Sequence, residues 1–414
     1  MEGQVDSITN SQVDGNEKTS QYIGVLESIP CTEGNEEVIC GFVEKLLGIT
    51  YGRATIKPVL LRVVEYVQKN RPDAEFEKRV VRRCLEMLQP LIISFEEAEM
   101  AVRQRLADLY QEDEEYVEAA RVLQEGLSSS DRRLLSDDVR FETYVRIVRN
   151  YLETGQTELA ELPLSRAAIV RPKVGNLDPI TDIHFKLSQA RILDSNRKFL
   201  DASTRYHLIS REAAVEEEDR MACLTQAVIC CVLSPAGPAR SAALRRLYND
   251  ERSRQLPQFG ILEKVYFDRL LLPQDVEDFS KYLQAHHTAS MSDGITVLSK
   301  AVTEHNVLSV SKIYSNIGIS ELAKFLDLEP AKAEEYTAKM IAQNRLAGKI
   351  DQPDGLIYFK SNLDTEPALG NSYDYANSTL DGTGAVILKQ RDQNIHDLCM
   401  HLEDIVTTIQ NISA

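Results

Sequence analysis

Four times between Tyr110 and Ala242 a large side chain is followed, nine positions on, by an alanine: Tyr110/Ala119, Tyr151/Ala160, Leu193/Ala202 and Leu233/Ala242. Successive copies are offset by 41, 42 and 40 residues. Inside each gap lies a polar turn: Gln111 to Glu115, Glu153 to Thr157, Asp194 to Lys198 and Ser234 to Pro238. A large residue closing one helix and an alanine opening the next let two helices approach closely. That is the packing unit of tetratricopeptide-like solenoids, with a period somewhat longer than the usual one of about 34 residues. A single pair cannot bury its apolar face alone, so the copies must stack. Upstream, apolar residues keep helical spacing in Val38, Phe42, Leu46 and Leu47, in Leu60, Val63, Val64 and Val67, and in Val80, Val81, Cys84 and Leu88. Pro58, Pro72 and Pro90 read as ends or starts of these segments.

The pattern changes after Gly294. Ile295 to Asn316 reads as a helix, followed by the extended piece Ile317-Gly318-Ile319. Ser320 can cap a short helix over Glu321 to Leu326, because its hydroxyl can accept from first-turn amides. Pro330 can open another helix reaching Arg345, since its missing N–H has no helical partner at that position. Lys349-Ile350-Asp351 and Leu356-Ile357-Tyr358-Phe359 then flank Pro353-Asp354-Gly355, where proline presets φ and glycine accepts positive φ. Helix, strand, helix, helix, hairpin is the order of a winged helix. Such a hairpin leaves a sheet edge that another chain can extend. Ile350, Asp351, Pro353, Gly355, Ile357 and Phe359 are the residues expected at that interface.

The expected fold is therefore mostly α. A disordered N-terminus over 1–20 leads into a tetratricopeptide-like helical-repeat solenoid over 21–290 and a winged-helix subdomain over 291–361. The apolar stretch Gly260 to Leu272, with Val276, Phe279 and Leu283 after it, joins the two. An acidic linker follows over 362–390, where Asp364, Glu366, Asp374 and Asp381 have no basic neighbour before Gly384. Over 391–414, Ile395, Leu398, Leu402, Ile405 and Ile409 step by 3, 4, 3 and 4, which is a helical seam. A lone helix of that length is marginal in water, so the seam is expected to dock into helices of other chains.

Formal net charge is −17, which argues against general affinity for nucleic-acid phosphates or anionic lipid. No apolar run approaches 18 residues, and Met1 to Ser20 is polar, so neither a membrane span nor a secretory leader is expected. The seven cysteines are odd in number and form no CxxC pair, which suits reduced thiols in cytoplasm and nucleus. Around the candidate reading helix, Lys332, Lys339 and Arg345 stand against Glu334 and Glu335, three minus two or +1. In the hairpin, Lys349 and Lys360 are cancelled by Asp351 and Asp354. A DNA-reading surface would be strongly basic, so a protein-binding winged helix is favoured.

Catalytic signatures are missing. The sequence contains no HExxH, no GxxxxGK[ST] loop and no GxSxG elbow. The histidines are His184, His207, His286, His287, His305, His396 and His401. His286 and His287 are adjacent and are expected to point to different helix faces, not to share a metal. Glu96-Glu97 and Glu216-Glu217-Glu218-Asp219 read as solvated helix faces. No catalytic residue, metal or other cofactor is expected.

A helical repeat arm running into a winged helix resembles the PCI-domain family, whose members are scaffold subunits of the proteasome lid, the COP9 signalosome and translation initiation factor three. The stretches carrying the likeness are Ile93-Ser-Phe-Glu-Glu97, Gly260-Ile-Leu-Glu-Lys264 with Asp268-Arg269, Glu304-His-Asn306 with Ser311-Lys312 and Tyr314-Ser-Asn-Ile317, and Ile350-Asp-Gln-Pro-Asp-Gly355. Within the family the chain is most similar to a signalosome subunit. The likeness covers Ile92 to Lys360, with the PCI domain at about 200–361, and resumes over the C-terminal helix. The first 80 residues or so and Asn362 to Lys389 depart from it. The resemblance implies a non-catalytic subunit of an assembly that removes Nedd8 from cullin–RING ubiquitin ligases, with the zinc isopeptidase site in another subunit. It implies partnership with other signalosome subunits through winged-helix edges and a C-terminal helix bundle, and an arm reaching the cullin and RING end of the ligase. A proteasome-lid subunit is the alternative.

Overall fold

The computed structural model describes residue 8 and residues 15–31, 35–49, 53–70, 73–127, 135–175, 178–289 and 296–359. Among the described residues, α1 (Gly15–Glu27), α2 (Glu36–Gly48), α3 (Arg53–Asn70) and α4 (Ala74–Leu88) precede the repeats. Helical pairs follow, α5 (Glu96–Glu112) with α6 (Tyr116–Leu127), α7 (Asp137–Glu153) with α8 (Thr157–Val170), α9 (Pro179–Ser195) with α10 (Phe199–Ile209), and α11 (Glu217–Leu233) with α12 (Pro238–Tyr248). Next come α13 (Phe259–Tyr266), α14 (Pro273–Ser280), α15 (Ala285–Thr288) and α16 (Val297–Ile313). The last elements are β1 (Asn316–Gly318), α17 (Ile319–Leu326), α18 (Pro330–Ala342), β2 (Gly348–Asp351) and β3 (Leu356–Phe359).

The nine-residue gaps fall between the members of successive pairs, and three of them close identically. Glu114, Gly155 and Arg197 take positive φ, at 63°, 71° and 60°. The next amide reaches back over the turn to the carbonyl of the large residue: Glu115 to Tyr110 at 2.8 Å, Gln156 to Tyr151 at 2.9 Å and Lys198 to Leu193 at 2.9 Å. That bond satisfies a carbonyl the helix end would otherwise leave open, as in a Schellman closure. Ala119, Ala160 and Ala202 are fully buried where each second helix crosses the first. The fourth copy differs. Ser234 is extended, Gly237 precedes Pro238 at the first helical position, and the buried alanine is Ala243 while Ala242 is exposed. An extended connector lacks the left-handed residue that sets the register of the other three, so the packing position slips by one.

Three further expectations need correction. Residues 15–20, read as part of a disordered N-terminus, belong to α1. Pro58 ends nothing; it lies within the second turn of α3, where it removes a single ladder bond. Glu96 is buried, not solvated, and nearby Glu99 accepts from Arg103 Nε at 2.6 Å inside the core. Both glutamates sit in the first turn of α5, where the helix dipole favours an anion. The Glu216–Asp219 run is exposed as read.

One apolar core runs from Tyr22 to Ile192 and a second from Ala190 to Ala301. Both draw on α9, so burial passes from pair to pair along the stack. Side chains such as Leu46, Leu106, Leu224 and Leu262 are enclosed, each worth about 1.5–3 kcal/mol in transfer terms. Among the described residues, no helix is long and apolar enough to cross a membrane.

Candidate assembly interface

The winged helix is built on a three-stranded sheet of order β1-β3-β2. β1 and β3 run antiparallel with Asn316 opposite Tyr358, Ile317 opposite Ile357 and Gly318 opposite Leu356. Gly355 takes φ of 62° at the turn, and its carbonyl accepts from Ile319 N at 2.8 Å, tying the hairpin to the start of α17. That bond shifts the helix start. Gly318 is the cap residue, Ser320 lies inside α17, and no side chain caps it. Pro330 does stand at the first position of α18, with Ala333, Thr337 and Met340 buried beneath it.

The hairpin residues divide into two groups. Ile350 and Asp351 are half-buried on the outer strand β2, Pro353 is exposed at the tip and Gly355 is half-buried. Ile357 and Phe359 are enclosed on the central strand β3. Their side chains therefore support the sheet from within, and among the described residues the outer strands are β2 and β1. Sequence reasoning missed an exposed apolar group on the same unit. Ile313 is 65% exposed, and Tyr314, Phe325 and Tyr358 are also exposed, with the Tyr314 and Phe325 rings 6.1 Å apart. Tyr358 was legible as the outward residue between inward Ile357 and Phe359. The expected C-terminal seam, Ile395, Leu398, Leu402, Ile405 and Ile409, lies outside the described residues, as does Cys399.

A buried polar joint fixes this unit to the helices before it. Arg345, just beyond α18, forms a two-pronged ion pair with Glu304 of α16, one prong at 3.0 Å, and donates to the Ala236 carbonyl at 3.1 Å. The next residue, His305, donates from Nε2 to the Arg269 carbonyl at 2.8 Å and accepts at Nδ1 from Arg240 at 2.9 Å. Asn306 brackets the backbone of Leu271, accepting its N–H at 2.9 Å and donating to its carbonyl at 3.2 Å. Lys312 pairs with Asp268. Glu304, His305, Asn306, Asp268, Arg269 and Lys312 all belong to the stretches that carried the family resemblance. Glu304, His305 and Asn306 satisfy buried polar groups between α12, α13 and α16 and hold the winged helix in one orientation, while the Lys312–Asp268 pair lies at the surface of the same joint.

A second polar cluster overturns the expectation for the paired histidines. His286 and His287 both converge on buried Asp194, with Nε2 atoms 3.4 and 2.9 Å from Oδ1 and ring centroids 3.9 Å apart. They can do so because α15 is a single turn that lets the neighbouring rings fold to one side. Asp194, His286 and His287 have metal-ligating types, yet the proton inventory favours a clasp. His287 Nδ1 accepts from Gln284 N–H at 3.3 Å, so Nε2 carries the hydrogen that it donates to Asp194. A metal would need that nitrogen bare. Burial pushes the Asp194 carboxyl up, but the close approach of His286 and His287 outweighs it and holds it at about 2. By sequence Asp194 belongs to a polar turn, and nothing local signals that a residue 92 positions on buries it. The described cysteines are free thiols, as expected, and burial raises the pKa of Cys223, Cys230 and Cys231.

Comparison with known proteins agrees with this architecture. The PCI domain family matches residues 276–361, and the PSMD12/CSN4 N-terminal family matches residues 50–218. COP9 signalosome complex subunit 4 of Emericella nidulans is 42% identical over 328 residues, 78% of this chain and 79% of that protein. The protein of the same name from Arabidopsis thaliana is 33% identical over 411 residues, 97% of this chain and 96% of its own. That from Drosophila melanogaster is 32% identical over 396 residues, 95% and 90%. The likeness thus reaches well beyond Ile92 to Lys360, into the first 80 residues. The chain belongs to the COP9 signalosome complex subunit 4 family.

Proposed function

We propose that the protein is a non-catalytic scaffold subunit of the COP9 signalosome, supporting removal of Nedd8 from cullin–RING ubiquitin ligases and touching the ligase through its helical arm. The observation that carries this reading is the winged-helix sheet with its two outer strands, flanked by the exposed group Ile313, Tyr314, Phe325 and Tyr358. Large aromatic anchors beside an open strand suit edge-to-edge joining of one such domain to another. The joint at Glu304, His305 and Arg345 supports the same role, because a scaffold must present its edges at a fixed angle. Nucleic-acid binding is a poor fit: Lys339 pairs with Glu335 at 2.6 Å and Arg345 is committed to Glu304. In this reading the isopeptidase centre lies in a different subunit, and the chain works in cytoplasm and nucleus.

Affinity purification of the tagged chain with identification of its partners tests the proposal. The other signalosome subunits are expected. Recovery of proteasome-lid subunits instead would move the chain to the alternative assembly. Tyr358→Glu with Phe325→Glu should detach neighbouring PCI subunits, and Ile395→Asp with Leu402→Asp should release the chain from the complex. Full co-purification of either double variant counts against the interface it probes, and deneddylation by the purified chain alone counts against a non-catalytic role.

A further inference from the structure

Between the end of α10, the first turn of α11 and the end of α12 the surface folds into a pocket of about 660 Å³. Its walls carry four arginines, Arg211, Arg220, Arg246 and Arg252, against two carboxylates, Asp250 and Glu251, with His207 and Asn249 completing them. This is a local excess of positive charge on a chain of net charge −17. The sequence offers no warning of it, because the four arginines come from four separate segments.

Those charges are unevenly spent. Arg252 is fully occupied: it donates from Nε and Nη2 to Asp250 at 3.0 and 2.7 Å and from Nη1 to the Ser210 carbonyl at 2.6 Å. Asp250 is spent in turn, and its carboxyl is held at about 2, chiefly by Arg252. Arg220 pairs at one end with exposed Glu217, while its Nε is buried without a hydrogen-bond partner. Among the described residues, Arg211 and Arg246 are exposed cations with no hydrogen bond or ion pair. Three guanidinium groups therefore face one cavity with donors to spare. A cleft lined by one sign of charge concentrates the opposite ion, and the planar guanidinium fork matches the oxygens of a phosphate group. The volume lies in the range of small-molecule sites, roughly 300–1,000 Å³. The lining side chains are all polar or charged, so the site offers no platform for a nucleobase or an acyl chain.

We propose that this pocket binds a small, multiply charged phosphate anion through Arg211, Arg220 and Arg246, with the Arg252–Asp250 pair as its fixed wall. The site is separate from the winged-helix sheet, so it stands or falls independently of the assembly reading.

The test is isothermal titration calorimetry of the full chain with inorganic tripolyphosphate. Saturable binding at one site is expected, weakening between about 50 and about 200 mM salt as counterion release requires. Arg211→Glu with Arg246→Glu should weaken it by about tenfold or more, since charged hydrogen bonds are lost at both positions. Both side chains are exposed and unpaired, so the fold should persist, checked by an unchanged melting temperature without the anion. Arg62→Glu with Arg83→Glu makes the same change of net charge elsewhere and should leave binding intact. Absence of saturable binding, equal loss in both double variants, or equally tight binding of an oligoglutamate of matched charge, which would mark an acidic-peptide dock, would each overturn the proposal.

Discussion

Arg240 donates through Nη2 to Nδ1 of His305 at 2.9 Å, so a buried guanidinium stands against the one ring nitrogen that an imidazolium would have to protonate. The other ring nitrogen is already committed as a donor to the Arg269 carbonyl. His305 is therefore held neutral. Burial first and the Arg240 charge second lower its pKa to about 4. Arg240 is only 2% exposed, and burial lowers its pKa as well. The pair links α12 to α16 at the root of the winged helix, so its protonation state is tied to the integrity of that joint.

Acid should loosen the joint before it titrates the carboxylates. In the unfolded chain His305 takes up a proton near pH 6.5, whereas the folded chain resists until about pH 4. Stability is then present above pH 6.5 and lost as pH falls towards 4, on the order of 3 kcal/mol in full. Burial lowers the pKa of His184 and His207 too, with the same sign. Melting temperatures recorded from pH 7 to pH 4.5 should fall, and His305→Gln should remove the larger part of that slope. A slope unchanged in the variant would assign it elsewhere.

Glu304 and Arg345 form the mostly enclosed ion pair across the same root, with side chains 4% and 18% exposed. Glu304→Gln leaves the guanidinium uncompensated and should cost about 3 kcal/mol. Adding Arg345→Met should recover part of that loss, because the unpaired charge is removed with its partner. Chemical denaturation measures both, and hydrogen exchange should rise first in α18.

Gly155 occupies the left-handed turn between α7 and α8 at φ 71°. A Cβ there meets no neighbouring atom, so any penalty is purely that of the backbone. Gly155→Ala should cost about 1 kcal/mol in denaturant titrations. No loss would mean that the turn relaxes.

The Asp194 clasp should respond to acid and not to metals. Its carboxyl is depressed, so the stability it supplies is present above the ordinary carboxylate range and lost as pH falls through about 2. Asp194→Asn should flatten the acid limb of the stability curve. Cobalt(II) titration should give no tetrahedral absorption bands, because His287 Nε2 holds its hydrogen. Intense bands abolished by His286→Ala would instead establish a metal site.

Features set by neighbours along the chain could be read from residue order. The repeats at Tyr110, Tyr151 and Leu193, the proline start of α18 and the glycine turn of the hairpin were legible because each is set within about ten residues by helical period, cap chemistry or turn geometry. The remainder took shape only where distant segments met. Asp194 meets His287 across 93 residues, Arg240 meets His305 across 65, and Arg211 faces Arg246 only because α10 and α12 end side by side. The exchange of Ala242 for Ala243 and the burial of Glu96 belong there too. Periodicity says which face of a helix is buried, but a polar side chain becomes a joint, a clasp or a pocket wall only when a distant segment removes its water and supplies its partner.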